Sequence, residues 1–190
     1  MRPFNLLVIP ALRAATSLLV LLSLTGCDLG DETDVAGLIG SQFVGVRLDE
    51  GDLGEGVLSA SGSLNPELFL TNLRESLGRD PSSLELTRIA LSAGATGVEN
   101  ISSWRDAFSS DISVSFLVEG SPPIVAGSLP LPASGLGAIE GRVLVKRQTL
   151  DRFPAIREGR FSVQLSAPSA RSSSEVFVLP ARVELEFIVF

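Results

Sequence analysis

The sequence predicts a mainly β protein, an antiparallel β-sandwich with two short helices. An immunoglobulin-like Greek key is the preferred topology, and a small β-barrel is the alternative. Three observations support this fold class. About eight short segments alternate apolar and polar side chains, which is the period of a half-buried strand. Glycine- and proline-rich turns separate them, and only two segments show helical spacing, so the strands have to pack mainly against each other.

The first 26 residues have the pattern of a signal peptide. Arg2 and Arg13 supply positive charge, and the uncharged stretch at residues 14–26 is 13 residues long. A permanent membrane-spanning helix needs about 20 apolar residues, so this stretch is too short for that role. We therefore assign residues 1–26 to an export signal that is removed.

The signal ends in Leu24-Thr25-Gly26-Cys27, which contains the only cysteine of the chain. This tetrapeptide resembles the lipobox of bacterial lipoproteins, in which a branched apolar residue and two small residues precede the acceptor cysteine. The resemblance implies that Leu24, Thr25 and Gly26 form the signal peptidase motif and that Cys27 carries acyl chains such as palmitate. Two or three chains hold a protein on a membrane. The alternative is an ordinary secretory signal followed by a stray cysteine.

Cleavage before Cys27 changes the size and charge of the chain. It removes 26 of 190 residues and two of 15 basic residues, leaving 164 residues with 13 basic and 22 acidic side chains, a net charge of −9. This length suits one domain with a real core. The acid excess argues against nucleic acid and against adsorption to anionic lipid, because both require clustered Lys and Arg.

The mature chain divides into a tether and a domain. We expect residues 27–40 to be the lipidated cysteine with an acidic tether, and residues 41–190 to be a single β-rich domain. Asp28 follows the anchor directly. In enteric lipoproteins an aspartate there is an inner-membrane retention signal, so it favours the inner membrane while leaving the choice of membrane open.

The domain begins with a predicted hairpin. Residues 42–48 form a strand, and residues 57–64 return as its second arm. The loop between them carries Asp49, Asp52 and Glu55 on a glycine-rich turn, where carboxylates can wrap Ca²⁺. Their spacing does not fit an EF-hand, so a solvated hairpin tip is preferred. We predict no metal and keep these three acids as weak candidates.

Two segments carry helix signals. The first helix begins with Asn65 as N-cap and ends at Gly78. Its apolar face, which we expect to cover one end of the sheet, consists of Phe69, Leu73 and Leu77. A shorter helix is predicted from the capping-box spacing of Ser103 and Asp106. Its buried face consists of Trp104 and Phe108.

The remaining segments are predicted strands. They are residues 84–92, 112–118, 124–129, 139–147, 160–165, 175–179 and 182–190. Pro180 divides the last two, since proline cannot donate to a ladder. In the final strand the predicted inward residues are Val183, Leu185, Phe187 and Val189. The outward residues are Glu184, Glu186, Ile188 and Phe190.

The chemistry of the domain is constrained by what the chain lacks. It has no histidine, which excludes a Ser-His-Asp triad and imidazole catalysis or ligation. Acylation consumes the one thiol, and Lys146, the only lysine, has no serine motif nearby. We therefore predict no catalytic residue and no cofactor.

Three function classes remain. The leading hypothesis is a non-catalytic binding or structural module, held at the extracytoplasmic side of a bacterial envelope membrane by the acyl chains on Cys27. It faces the periplasm or the cell exterior and has a protein partner in the cell envelope. The alternatives are a carrier of an apolar ligand, gated by the first helix, and a hydrolase using carboxylates alone.

Overall fold

The computed structural model describes residues 39–172 and 174–190. The strands in these ranges are β1 (Ile39–Asp49), β2 (Leu53–Gly54), β3 (Val57–Ser63), β4 (Leu84–Ala93), β5 (Ile112–Leu117), β6 (Ile124–Leu129), β7 (Ile139–Glu140), β8 (Arg142–Val143), β9 (Ser162–Pro168) and β10 (Val178–Val189). The helices are α1 (Pro66–Leu77), α2 (Trp104–Ala107), α3 (Arg147–Leu150) and α4 (Pro154–Arg157). A 3₁₀ turn at Glu50–Asp52 follows β1.

The strands form two antiparallel sheets. One sheet has the order β1-β10-β4-β7, and the other has the order β2-β3-β9-β5-β6-β8. The predicted mainly β, antiparallel fold is therefore confirmed, whereas the Greek-key topology stays a prediction. In the described part of the chain there are four α-helices where we expected two, because α3 and α4 have only four residues each and no side chain caps their N-termini.

Both sheets contribute to one hydrophobic core. The predicted inward face of β10 is confirmed, since its four apolar residues are fully buried: Val183, Leu185, Phe187 and Val189. From α1, the ring of Phe69 meets the edges of Phe161 and Phe187 at 6.0 Å between centroids. Such edge-to-face pairs stabilise beyond simple burial. Helix α1 thus closes one end of the core.

The prediction that Phe190 faces outward is wrong. Phe190 is only 9% exposed, and the Arg147 guanidinium lies over its ring at 3.8 Å. Its carbonyl oxygen accepts hydrogen bonds from the Ser82 N–H at 2.7 Å and the Ser82 hydroxyl at 2.8 Å. Phe190 is buried because it lies at the end of the β10 ladder. There the Ser82–Ser83 segment covers the strand and shields it from solvent.

Both predicted helices are confirmed at their caps. The Asn65 side chain accepts the Leu68 N–H at 3.1 Å, and Gly78 ends α1 in the left-handed conformation at φ 68°. In α2, the Ser103 N–H donates to the Asp106 carboxylate at 2.9 Å, completing a capping box. The aromatic residues of this second helix are fully buried: Trp104 and Phe108.

The predicted hairpin of residues 42–48 and 57–64 is wrong. Strand β1 pairs with β10, and β3 pairs with β9 in the other sheet. The 3₁₀ turn and β2 lie between them and carry the chain from one sheet to the next. In this segment the hairpin is formed by β2 and β3, whose two turn residues, Glu55 at φ 51° and Gly56 at φ 78°, have the geometry of a tight two-residue loop.

The prediction of one continuous strand at residues 139–147 is also wrong, because this segment contains two short strands. Strand β7 pairs with β4 in one sheet, and β8 pairs with β6 in the other. Gly141 separates them, and its N–H donates to the Ile89 carbonyl at 2.8 Å. A Cβ on Gly141 would lie 2.9 Å from the Ser128 carbonyl oxygen, so glycine permits this close passage.

Pro180 does not divide two strands but lies inside β10. It pairs with Arg47 of β1, and its carbonyl accepts the Gly94 N–H at 2.7 Å. Both backbone polar groups of a strand residue point to the same edge, so the missing N–H of proline is on the β4 side. The Pro180–Gly94 pair therefore has only one of its two possible backbone bonds, and regular pairing with β4 begins at Ala181. The predicted strand at residues 175–179 therefore begins only at Val178.

Candidate functional site

The lipobox lies outside the described residues. Leu24, Thr25, Gly26 and Cys27 all precede residue 39, as does Asp28. Their roles therefore remain sequence predictions. Within the ranges that the structure describes, none of the helices combines the length and apolar character needed to cross a bilayer.

The acidic loop after β1 is organised by its own backbone. The Gly51 N–H donates to the Asp49 carboxylate at 3.0 Å, and the Asp49 N–H donates to the Asp52 carboxylate at 2.9 Å. These two acids therefore cap the 3₁₀ turn. Glu55 occupies the following two-residue turn with an exposed side chain. The sequence missed the capping because it predicted one open loop.

The electrostatics of this loop reflect burial and internal bonds. Partial burial raises the pKa of Asp52, the hydrogen bond from the Asp49 N–H opposes the rise, and the Asp49 charge adds to it. For residues 39–172 and 174–190, no set of three acidic or cysteine side chains has an arrangement that could hold a metal ion. What the loop does chemically is satisfy backbone donors at the start of the turn.

We expect millimolar Ca²⁺ to leave the melting temperature of the protein nearly unchanged, because the Asp49 and Asp52 carboxylates already accept backbone N–H groups. Asp52→Ala should lower stability by about 0.5–2 kcal/mol through loss of the cap, with or without Ca²⁺. Asp52→Asn keeps an acceptor and serves as the control. A saturable rise in melting temperature with Ca²⁺, absent in Asp52→Ala, would instead demonstrate a metal site by ligand linkage.

A polar network joins Ser83, directly before β4, to α3 and the residue after it, and sequence reasoning missed it. The Ser83 hydroxyl donates to Asp151 Oδ1 at 2.6 Å and accepts from Arg147 Nε at 2.7 Å. Ser83 is 5% exposed. A serine beside a carboxylate resembles part of a triad, but arginine cannot act as the general base. The network therefore ties α3 to the sheet; the 64-residue separation of Ser83 and Arg147 left no local signal in the sequence.

Two open clefts lie beside α1 and α4. One, of about 270 Å³, contains Arg74, Asp80 and Glu158 among its lining residues. Arg74 pairs with Asp80, and Glu158 pairs with Arg160, while both acids remain substantially exposed. A carboxylic general acid needs apolar surroundings that raise its pKa. Both carboxylates here are exposed and contact an arginine, which differs from that arrangement.

The second cleft, of about 320 Å³, has an apolar floor. Leu64, Leu117 and Phe161 line it, with Glu119 and Arg160 among its polar residues. Leu64 and Phe161 are already buried at 9% and 5% exposure, and the Phe161 ring packs against Phe116 at 4.9 Å. The floor is thus the outer surface of the core, and the cleft is a shallow groove above it.

The outer face of the four-stranded sheet is charged. Arg88 of β4 contacts three carboxylates, at 2.8 Å for Glu186, 3.5 Å for Glu184 and 3.3 Å for Glu140. The hydrogen bond to Glu186 raises the pKa of the Arg88 guanidinium. All four groups are partly open to solvent, so screening makes their net contribution to stability small.

No protein-family model, no curated protein and no solved structure matches this chain.

Proposed function

We propose that this protein is a bacterial envelope lipoprotein, anchored by acyl chains on Cys27, whose β domain is a non-catalytic binding or structural module on the extracytoplasmic side of the membrane. The observation that carries the proposal is the tetrapeptide Leu24-Thr25-Gly26-Cys27 at the end of an apolar run. Two or three acyl chains suffice to hold a soluble domain at a membrane surface. Asp28 favours the inner membrane, and the module serves a protein partner in the envelope.

The packing of the domain supports a module over a carrier. A carrier gated by α1 needs an apolar cavity beneath that helix. Phe69 and Leu73 of α1 are fully buried, and the Phe69 ring is in contact with Phe161 and Phe187. Aromatic rings thus occupy the space where a ligand would enter. This packing favours the module over the carrier.

A carboxylate-dependent hydrolase has still less support. Acids that could serve such a hydrolase lie in ion pairs. Asp80 pairs with Arg74, and Glu186 pairs with Arg88. A glycosidase needs one neutral and one ionised carboxyl group facing a common substrate. Each of these acids contacts an arginine, an arrangement that differs from the two facing carboxyl groups of a glycosidase.

The proposed architecture is a β-sandwich, with the immunoglobulin-like Greek key kept as its topology and a small barrel as the alternative. The sandwich is supported by the alternation of buried and exposed residues on β1 and β10 in one sheet and on β9 in the other. The barrel is supported by the β7–β8 segment, which pairs with both sheets.

Metabolic labelling with a fatty-acid analogue tests the anchor. The wild-type protein should carry the label and fractionate with membranes. Cys27→Ser should carry none and remain as the uncleaved precursor, because the acceptor thiol and the processing step that follows it are both lost. A Ser23→Cys variant that also has Cys27→Ser is a matched control, since it restores a thiol outside the motif. Undiminished label in Cys27→Ser would refute the proposed anchor.

A further inference from the structure

The outer face of the six-stranded sheet carries no charge across its four central strands. Strands β3, β9, β5 and β6 contain no Asp, Glu, Lys or Arg, although the chain has 22 acidic and 15 basic residues. The outer face of the four-stranded sheet, by contrast, carries the Arg88 cluster of charges. Solubility alone therefore does not explain the composition, because the protein uses charge on one sheet face and avoids it on the other.

The residues on this uncharged face form rows across neighbouring strands. Cross-strand pairing gives three rows: Ser59–Ser166–Ser113–Ser128, Ser61–Gln164–Ser115–Val125 and Ser63–Ser162–Leu117. Strands lie about 4.8 Å apart, and residues on one face recur about every 6.8 Å along a strand. We call this array of hydroxyl and amide groups the serine face.

Several hydroxyl groups of the serine face have no hydrogen-bond partner among residues 39–172 and 174–190. Ser115, near its centre, is only 8% exposed and makes no hydrogen bond to another described residue. Its neighbours Val114 and Phe116 are fully buried on the inner side, so its hydroxyl points outward. The same lack of a described partner applies to the hydroxyl groups of Ser61, Ser113, Ser128 and Ser166.

Other groups of the serine face are held in place. Gln164 Nε2 donates to the Ser59 hydroxyl at 2.9 Å, and the hydroxyls of Ser63 and Ser162 are 2.9 Å apart. These bonds orient the Gln164 amide and leave its oxygen free to accept. The face thus combines fixed polar groups with unpartnered hydroxyls that can each donate and accept.

We propose that the serine face binds a neutral, hydroxyl-rich glycan chain. A sugar hydroxyl also donates and accepts, so a row of serines can pair with it in either direction, and no ion has to be desolvated on binding. The inference rests on the proposed function, since it names the chemistry of the ligand for a binding module displayed in the envelope.

The size of the serine face favours a glycan over a second copy of the chain. Four strands and three rows cover about 400 Å², whereas a stable protein interface buries about 800 Å² on each partner. Protein interfaces are also depleted in serine at their cores. A narrow polymer that contacts a few rows at a time fits this area, and many weak contacts along it add up.

Retention of the full mature lipoprotein, in detergent micelles, on chitin beads and on microcrystalline cellulose tests the proposal. We expect the wild-type protein to be retained and to be released by soluble oligosaccharides of the same sugar. Retention should not change as salt is raised, because the serine face has no charge. The Ser115→Ala and Gln164→Ala double variant should weaken binding about tenfold, as expected for two lost neutral hydrogen bonds.

Matched lysine variants make the test independent of folding at Ser115. Ser61 and Ser41 are both exposed strand residues, but Ser61 lies on the serine face and Ser41 on the other sheet. Ser61→Lys should abolish retention, and Ser41→Lys should leave it unchanged.

Four results would overturn the proposal. These are no wild-type retention on either polymer, equal loss in both lysine variants, release by salt, or a dimer that Ser61→Lys disrupts. Retention needs no acyl chain and acyl labelling needs no serine face, so this proposal and the proposed anchor fail separately.

Discussion

Deletion of residues 185–190 is expected to abolish the cooperative unfolding of the domain. These residues form the end of β10, which pairs with β1 on one side and β4 on the other. Leu185, Phe187 and Val189 are fully buried within them. Each such side chain stabilises the fold by about 1.5–3 kcal/mol, whereas a whole domain is stable by only about 5–15 kcal/mol. The deletion therefore removes most of the available stability and also exposes two unpaired strands.

Circular dichroism melts of a soluble version that begins at Asp28 provide the measurement. The matched control deletes residues 28–37, which we predict to be an acidic tether, and this deletion should leave the transition intact. Phe187→Ala gives an intermediate case, because it removes one ring from the contact with Phe69 and should cost about 3–5 kcal/mol. A cooperative transition that survives deletion of residues 185–190 would contradict the central role of β10.

Features that depend on neighbouring residues were predictable from the sequence. Asn65 and Gly78 mark the ends of α1 because their preferences act within one turn of the helix. The capping box of α2 is equally local. The pairing of β5 with β6 is also local, because only residues 118–123 connect the two strands. In each case the interacting groups are close in sequence.

Features that depend on the choice of a distant partner were not predictable. Strand β1 follows the pattern of a hairpin with β3, but its partner β10 lies more than 100 residues further along the chain. Gly141 reads as an ordinary residue in a strand, yet it marks the point where the chain leaves one sheet for the other. Alternation fixes which face of a strand is buried, and it carries no information on which strand lies beside it.

The same distinction applies to the candidate sites. The acids Asp49 and Asp52 were visible in the sequence, but their capping role depends on the 3₁₀ turn that they start. The serines of β3, β5 and β9 were visible as the outward half of three alternating patterns. Only the order β3-β9-β5-β6 brings them into one continuous array. Sequence reasoning therefore missed the surface that these serines form.

Gly62→Ala is expected to destabilise the domain strongly, because Gly62 of β3 lies directly against the backbone of β1. A Cβ on Gly62 would lie 2.0 Å from the Gly45 carbonyl oxygen and 2.9 Å from Val44 Cγ1. The first contact is with backbone of β1, which cannot rotate away as a side chain can. To relieve this clash, β1 has to move away from β3. That movement also disturbs the ladder between β1 and β10.

Gly45→Ala on the opposing strand is the matched control. Its Cβ would have no neighbouring atom within 4 Å, so the substitution adds no clash. It should leave stability unchanged or raise it by about 0.4–1 kcal/mol, since alanine restricts the unfolded chain. Gly62→Ala should lower the free energy of unfolding by more than the ~1–3 kcal/mol that is typical of overpacking. The cost is higher because the obstacle is backbone and not a movable side chain. Urea unfolding of the two variants measures the difference, and equal stability of both would show that the edges of β1 and β3 do not meet as closely as Gly62 indicates.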